Sequence, residues 1–133
     1  MVEVLSESAA GLQREQELAR LLAAIDRYRD YENDYDPDGP RVSDEAIAAA
    51  KAFVCRVAHD AADAWKMPGL AADADGCIHL TWDEKDGYAH LIVCHSSREP
   101  VVLVTKRSEQ QPQRRIVPVA SAANAVLDLL RRA

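Results

Sequence analysis

The sequence predicts an α+β domain: two N-terminal helices, a small antiparallel sheet of about three strands, and a C-terminal helix. Three observations predict it. Up to about residue 65, apolar residues recur every three to four positions, the period of a helix with one buried face. From about residue 70 they alternate, the period of strands. After Pro118 the helical period returns. Helical and strand segments that are segregated along the chain, rather than alternating, are the pattern of α+β domains. At 133 residues the chain reads as one domain, 1–133. A domain of this size buries about two-thirds of the surface its unfolded chain exposes, enough for a core without metal or disulfide. Apolar residues make up 48%, but 23 residues are Ala and only one is Phe, so small side chains are expected at close helix contacts.

The elements follow in order. Residues 6–31 read as a helix with Ser6 or Ser8 as cap; Leu18, Leu21, Leu22, Ile25 and Tyr28 recur along one side. Gly11 weakens its first turns. Residues 32–42 form a loop, since Pro37, Gly39 and Pro40 cannot continue a helix. Ser43 is a good N-cap for the next helix, and Asp44 and Glu45 suit the positive end of its dipole. Its stripe is Ile47, Ala50, Val54, Val57, Ala61 and Ala64, widened by Phe53, Ala58 and Trp65, and Pro68 and Gly69 end it. Leu70 to Ala72 is a candidate short strand. Cys77 to Trp82 alternates, Asp83 to Gly87 is a polar loop, and Tyr88 to Cys94 returns, which is a hairpin signal. Val101 to Thr105 is a third strand, and residues 106–117 are a basic, Gln-rich connection. Pro118 fits the first turn of a last helix whose apolar face is Val119, Ala122, Ala123, Val126, Leu127 and Leu130. The first two helices are expected on one face of the sheet.

Composition and charge exclude several classes. No apolar run approaches the ~18 residues of a membrane span. The first ten residues hold Glu3 and Glu7 and no basic cluster, unlike a secretory signal. Cys55, Cys77 and Cys94 are odd in number and without CxxC spacing, which argues for reduced thiols and a cytoplasmic location. The net charge of -6 is unevenly spread: residues 1–40 carry ten acidic and four basic side chains, residues 101–133 two and six. The basic segment (Lys106, Arg107, Arg114, Arg115, Arg131, Arg132) is a candidate nucleic-acid contact. The negative whole-chain charge opposes phosphate at long range, so nucleic acid is not the expected partner.

The run Tyr35-Asp36-Pro37-Asp38-Gly39-Pro40-Arg41-Val42-Ser43-Asp44-Glu45-Ala46-Ile47, followed by Asp75-Gly76-Cys77-Ile78-His79-Leu80-Thr81-Trp82, resembles a group of small uncharacterised bacterial proteins. Their pattern is an aromatic-Asp-x-x-Gly loop, a Ser-capped helix, an Asp-Gly-x-Ile-x-Leu-x-Trp strand and an alternating return strand. The resemblance covers residues 35–95, and Tyr35 stands where Trp is commoner. It implies a fold and no known activity; a partner-binding role, as in a toxin–antitoxin or defence locus, follows only by association.

Three constellations carry candidate chemistry. Asp34, Asp36, Asp38, Gly39 and Glu45 match the calcium-loop pattern D-x-D-x-D-G-x5-E, with the Pro40 carbonyl at the seventh position. Alternate carboxylates suit a hard cation. Against this, Arg41 and Val42 occupy the eighth and ninth positions, and the chain has no second such loop. Cys77 and His79 share one face of their strand, and His90 and Cys94 share one face of theirs. Two thiolates and two imidazoles would suit zinc, but register decides whether the faces coincide. Cys94 or Cys55 with His59, His90 or His95 is a thiol–imidazole option, without any visible oxyanion feature. The expectation is a non-enzymatic cytoplasmic domain that binds another protein, or itself as a homodimer, with no cofactor. Its candidate contacts are Leu18, Leu21, Leu22, Ile25, Tyr28 and Tyr35. A calcium-binding domain and a basic-segment nucleic-acid binder are the alternatives.

Overall fold

The computed structural model describes residues 2–30, 37–95 and 100–132, with side chains from residue 11 onward. Helix α1 runs Val2–Asp26 and tightens into one 3-10 turn, Arg27–Arg29; α2 runs Asp44–Ala61, followed by a 3-10 turn, Ala62–Ala64. Five strands follow: β1 Gly69–Ala72, β2 Ile78–Glu84, β3 Gly87–Val93, β4 Val101–Arg107 and β5 Gln113–Val117. Helix α3 runs Val119–Arg132. The strands form one antiparallel sheet in chain order, β1-β2-β3-β4-β5.

The α+β class holds, and the strand count rises from about three to five. The short strand read at Leu70–Ala72 is present as edge strand β1, and the strand not expected is β5, on the other edge, within the segment read as a connection. β1 is only four residues long, too short to show alternation. β5 is Gln-Arg-Arg-Ile-Val and almost wholly exposed, so burial imposes no apolar period on it. Its Arg114 and Arg115 are the charges that keep an exposed strand edge from pairing with other chains.

Local chemistry sets the ends of the elements. The Ser43 side chain accepts from the Ala46 N–H at 3.0 Å, as an N-cap should, and its hydroxyl donates to the His95 carbonyl at 2.6 Å. The cap thereby ties the start of α2 to the end of β3. The β2–β3 turn is tighter than expected: Glu84 pairs with Gly87, leaving only Lys85 and Asp86 in the turn. Gly87 is required by packing, since a Cβ there would lie 2.5 Å from the Lys106 carbonyl oxygen. Gly76 has φ +79°, and a Cβ on it would lie 2.6 Å from the Arg41 carbonyl oxygen.

The core lies between the helices and one face of the sheet. Ile78, Leu80 and Trp82 stand opposite Val93, Leu91 and Ala89, and Leu103 continues the row from Leu91. All of these are buried, together with Ile47, Phe53, Val54 and Val57 of α2 and Ala122, Val126 and Leu130 of α3. The Trp82 indole packs against Phe53 with ring centroids 6.1 Å apart, and its N–H donates to the Lys66 carbonyl at 2.9 Å. Helices α2 and α3 pack on the sheet, while α1 packs chiefly on α2. The expectation that the first two helices share the sheet is corrected accordingly. The α1–α2 contact is fixed by Leu21 and Ile25 in the core and by Lys51 donating to Asp26 at 3.0 Å.

Candidate functional site

Alternation along the strands leaves a second face, opposite the helices. It carries His79, Thr81 and Asp83 on β2; Tyr88, His90 and Ile92 on β3; Val102, Val104 and Lys106 on β4; and Arg114 and Ile116 on β5. The register lines these up in rows across the sheet. One row is Ala71, His79, Ile92, Val102, Ile116; the next is Gly69, Thr81, His90, Val104, Arg114. The apolar members of both rows meet on β3, β4 and β5. Ile116, on the edge strand, is 73% exposed. Charge divides across the same face. Asp83 lies on β2 and Asp73 beside the β1–β2 turn, whereas Lys106 and Arg114 lie on β4 and β5.

A polar chain crosses the face. Asp73 Oδ1 accepts from the backbone N–H groups of Asp75 and Cys77 at 2.8 and 3.0 Å, and Oδ2 accepts from His79 Nε2 at 2.6 Å. His79 Nδ1 lies 2.7 Å from His90 Nε2. Partial burial alone would raise the Asp73 carboxyl. The hydrogen bonds from His79, Cys77 and Asp75 outweigh it and hold the carboxyl below the usual aspartate range. Burial, and then the neighbouring charges of His79 and Arg114, push the His90 imidazole down. With His79 Nε2–H donating to Asp73, the neutral pair has His79 Nδ1 accepting from His90 Nε2–H.

Cys77 and Cys94 lie at the next position along the same hairpin and are joined by a disulfide, with Cα atoms 4.4 Å apart. This corrects the sequence expectation of three reduced thiols and removes the argument from cysteine for a reducing compartment. An odd count without CxxC spacing does not exclude one bridge plus one free thiol, here the exposed Cys55. Ile78, Leu80 and Trp82 do share a face with Ala89, Leu91 and Val93, so Cys77, His79, His90 and Cys94 gather on the opposite one. The sulfurs are spent on each other, which leaves no thiolate pair for zinc and no thiolate at Cys94 for catalysis. On α2, the His59 ring is hydrogen-bonded to Asp60 at 3.0 Å.

Of the expected partner contacts, Leu21 and Ile25 are fully buried, and Leu18, Leu22 and Tyr28 are partly buried against the core. Leu21 and Ile25 are therefore used inside the molecule, while Leu18, Leu22 and Tyr28 keep part of their surface outside the core. Tyr35 lies outside the described residues, as do Asp34 and Asp36 of the acidic loop. Asp38 and Pro40 are exposed, and Glu45 is in the first turn of α2. Among the described residues no group of three or more His, Cys, Asp or Glu side chains is placed to hold a metal ion.

The basic segment does not form one stripe. Lys106 and Arg114 point to the open face, Arg115 to the helix side, and Arg131 donates to the Asp60 carbonyl at 3.3 Å. No helix of the described residues is long and apolar enough to cross a membrane. The apolar open face was missed by the sequence reading. Its signal is that Leu91-Ile92-Val93 and Val101-Val102-Leu103-Val104 are unbroken apolar runs, which mark strands with something to bury on both sides. No protein-family model, curated protein or solved structure matches the chain. The resemblance drawn over residues 35–95 accordingly rests on those residues alone.

Proposed function

We propose that the protein is a non-enzymatic protein-binding domain whose docking surface is the open face of the sheet, and that its occupant is a second copy of the chain. One observation carries this reading: the cross-strand row Ile92, Val102 and Ile116, with Val104 beside it, faces away from the core on three adjacent strands. A contiguous apolar patch of that kind marks a contact site. The charge pattern favours self-association. A two-fold axis parallel to the strands lays the Lys106 and Arg114 side of one copy over the Asp73 and Asp83 side of the other. The apolar centre then meets itself.

Size sets the strength. Five strands about 4.8 Å apart and about 13–23 Å long give a face of roughly 400–500 Å² in projection. A stable interface takes about 800 Å² from each partner, so the dimer is weak and its population depends on concentration.

Sedimentation equilibrium from micromolar to near-millimolar protein tests the reading. The expected result is a reversible monomer–dimer equilibrium that Ile116→Asp abolishes without lowering the melting temperature, because Ile116 contributes little to the core. A strict monomer across that range, or a dimer indifferent to Ile116→Asp and Val102→Lys, would overturn it.

A further inference from the structure

A second concavity lies on the helix side of the sheet, and its lining reaches Tyr88 on β3 and Lys106 on β4. Helix α3 packs over β2, β3 and β4. Beside it, the inward side of β5 and the edge of α3 border an open cavity of about 530 Å³. The register explains its chemistry. Arg115 stands opposite Leu103 and Gln113 opposite Thr105, so both are on the helix side of the sheet. Asp128 and Arg132 are one turn apart on the facing edge of α3. Arg107, at the end of β4, and Gln110 and Gln111, in the β4–β5 turn, line it as well. Ala89, Ala125 and Leu129 supply apolar lining.

We infer that this cavity binds a nucleoside phosphate. Among the described residues, Arg107, Arg115 and Arg132 make no salt bridge, although they line one cavity. Guanidinium groups gathered around a concavity focus positive potential there, and their forked N–H groups match phosphate oxygens. Of the carboxylates in the lining, Glu84 is already neutralised by Lys66 at 2.7 Å, while Asp86 and Asp128 stay available. A carboxylate beside a phosphate cradle accepts hydrogen bonds from ribose hydroxyls, as in other nucleotide sites. The glutamines offer paired donors and acceptors to a base edge, and the alanine and leucine surfaces receive its faces. The volume is in the usual range for small-ligand sites. The concentration of basic residues after position 100, against a chain charge of -6, thus has a local destination: β4, β5 and α3 together form the cavity.

Isothermal titration of the full chain with ATP, inorganic pyrophosphate and adenosine tests the inference. ATP is expected to bind more tightly than either pyrophosphate or adenosine. Arg115→Gln and Arg132→Gln are each expected to weaken ATP by about tenfold or more, the loss of a charge-assisted hydrogen bond. Arg114→Gln, on the opposite face of the same strand, is the control and is expected to leave ATP binding within about twofold. No heat or thermal stabilisation with low-millimolar ATP would overturn the inference. So would pyrophosphate binding as tightly as ATP, or equal losses from Arg114→Gln and Arg115→Gln, which would mean diffuse surface attraction. All three exposed arginine variants should keep the parent melting temperature, so a loss of binding is read on folded protein.

Discussion

Truncating Trp82 to Ala removes the largest fully buried side chain of the core. Its indole is 1% exposed, packs on Phe53 at 6.1 Å and donates to the Lys66 carbonyl at 2.9 Å. Large-to-small changes of an aromatic in a core cost about 3–5 kcal/mol, because the lost transfer energy is joined by that of an incompletely collapsed cavity. Trp82→Phe keeps most of the ring but leaves the Lys66 carbonyl without its donor, and is expected to cost about 1–3 kcal/mol. Domains of this size hold only about 5–15 kcal/mol of stability, so the alanine variant loses a large share of it. Urea unfolding followed by far-ultraviolet circular dichroism is the assay. With a slope of about 1–3 kcal/mol per molar, the midpoint should fall by about 2 M for Trp82→Ala at unchanged slope. A loss below about 1 kcal/mol for the alanine variant would refute the placement of Trp82 at the centre of the core. A phenylalanine variant as damaging as the alanine one would show that the indole hydrogen bond, not volume, governs the site.

Three further outcomes are expected. Ala62, at the end of α2, has φ 49° and ψ -116°, a conformation that suits glycine. Ala62→Gly should therefore stabilise by about 0.5–1.5 kcal/mol, against the destabilisation normal for glycine elsewhere, as read by a thermal melt. The Cys77–Cys94 bridge spans a sequence separation of 17, which by the chain-entropy relation is worth about 3 kcal/mol. The Cys77→Ala, Cys94→Ala double variant should lose that much, and denatured but unreduced protein should titrate as one thiol, Cys55; three reactive thiols would refute the bridge. The pH dependence should have two steps, both towards acid. The folded state depresses His90, so the unfolded chain takes up that proton first and stability falls as pH drops from about 6.5. Asp73 is also depressed, so its contribution is present above its ordinary value of 3.8 and is lost as pH falls through its lower folded value. Melting temperatures measured against pH for the parent and His90→Gln separate the two, since the variant should lose only the step near neutrality.

What the sequence disclosed follows physical lines. The Ser43 cap, the β2–β3 hairpin and the buried row Ile78, Leu80, Trp82 were legible because each is set by neighbouring residues: a side chain reaching its own helix, a tight turn, an alternation. β5 was not legible, since an edge strand whose side chains meet solvent carries no burial pattern. The role of the α1 stripe was not legible either. Periodicity says that Leu21 and Ile25 share a side of a helix but not whether α2 or another molecule covers it. The open face depended on register. Once Ile78 pairs with Val93, His79 and His90 must share the outer face and Cys77 must meet Cys94, but the alternation of each strand alone is compatible with either pairing.

The strand order has a consequence for how the protein is made. Because β1 to β5 pair only with their neighbours in the chain, the sheet closes hairpin by hairpin, each on a timescale of about microseconds. The inner face of β2, β3 and β4, with Ile78, Leu80, Leu91 and Leu103, is covered in part by α3, which follows β5 in the chain. At about 5–20 residues per second, the 15 residues from Val117, the end of β5, to Arg132 take roughly one to three seconds to be synthesised. For that interval the nascent chain holds a formed sheet with an apolar face open on the side of the missing helix, and with Ile92, Val102 and Val104 open on the other. A translation product stalled before Val119 stays in that condition, as a two-sided sticky sheet dependent on chaperones.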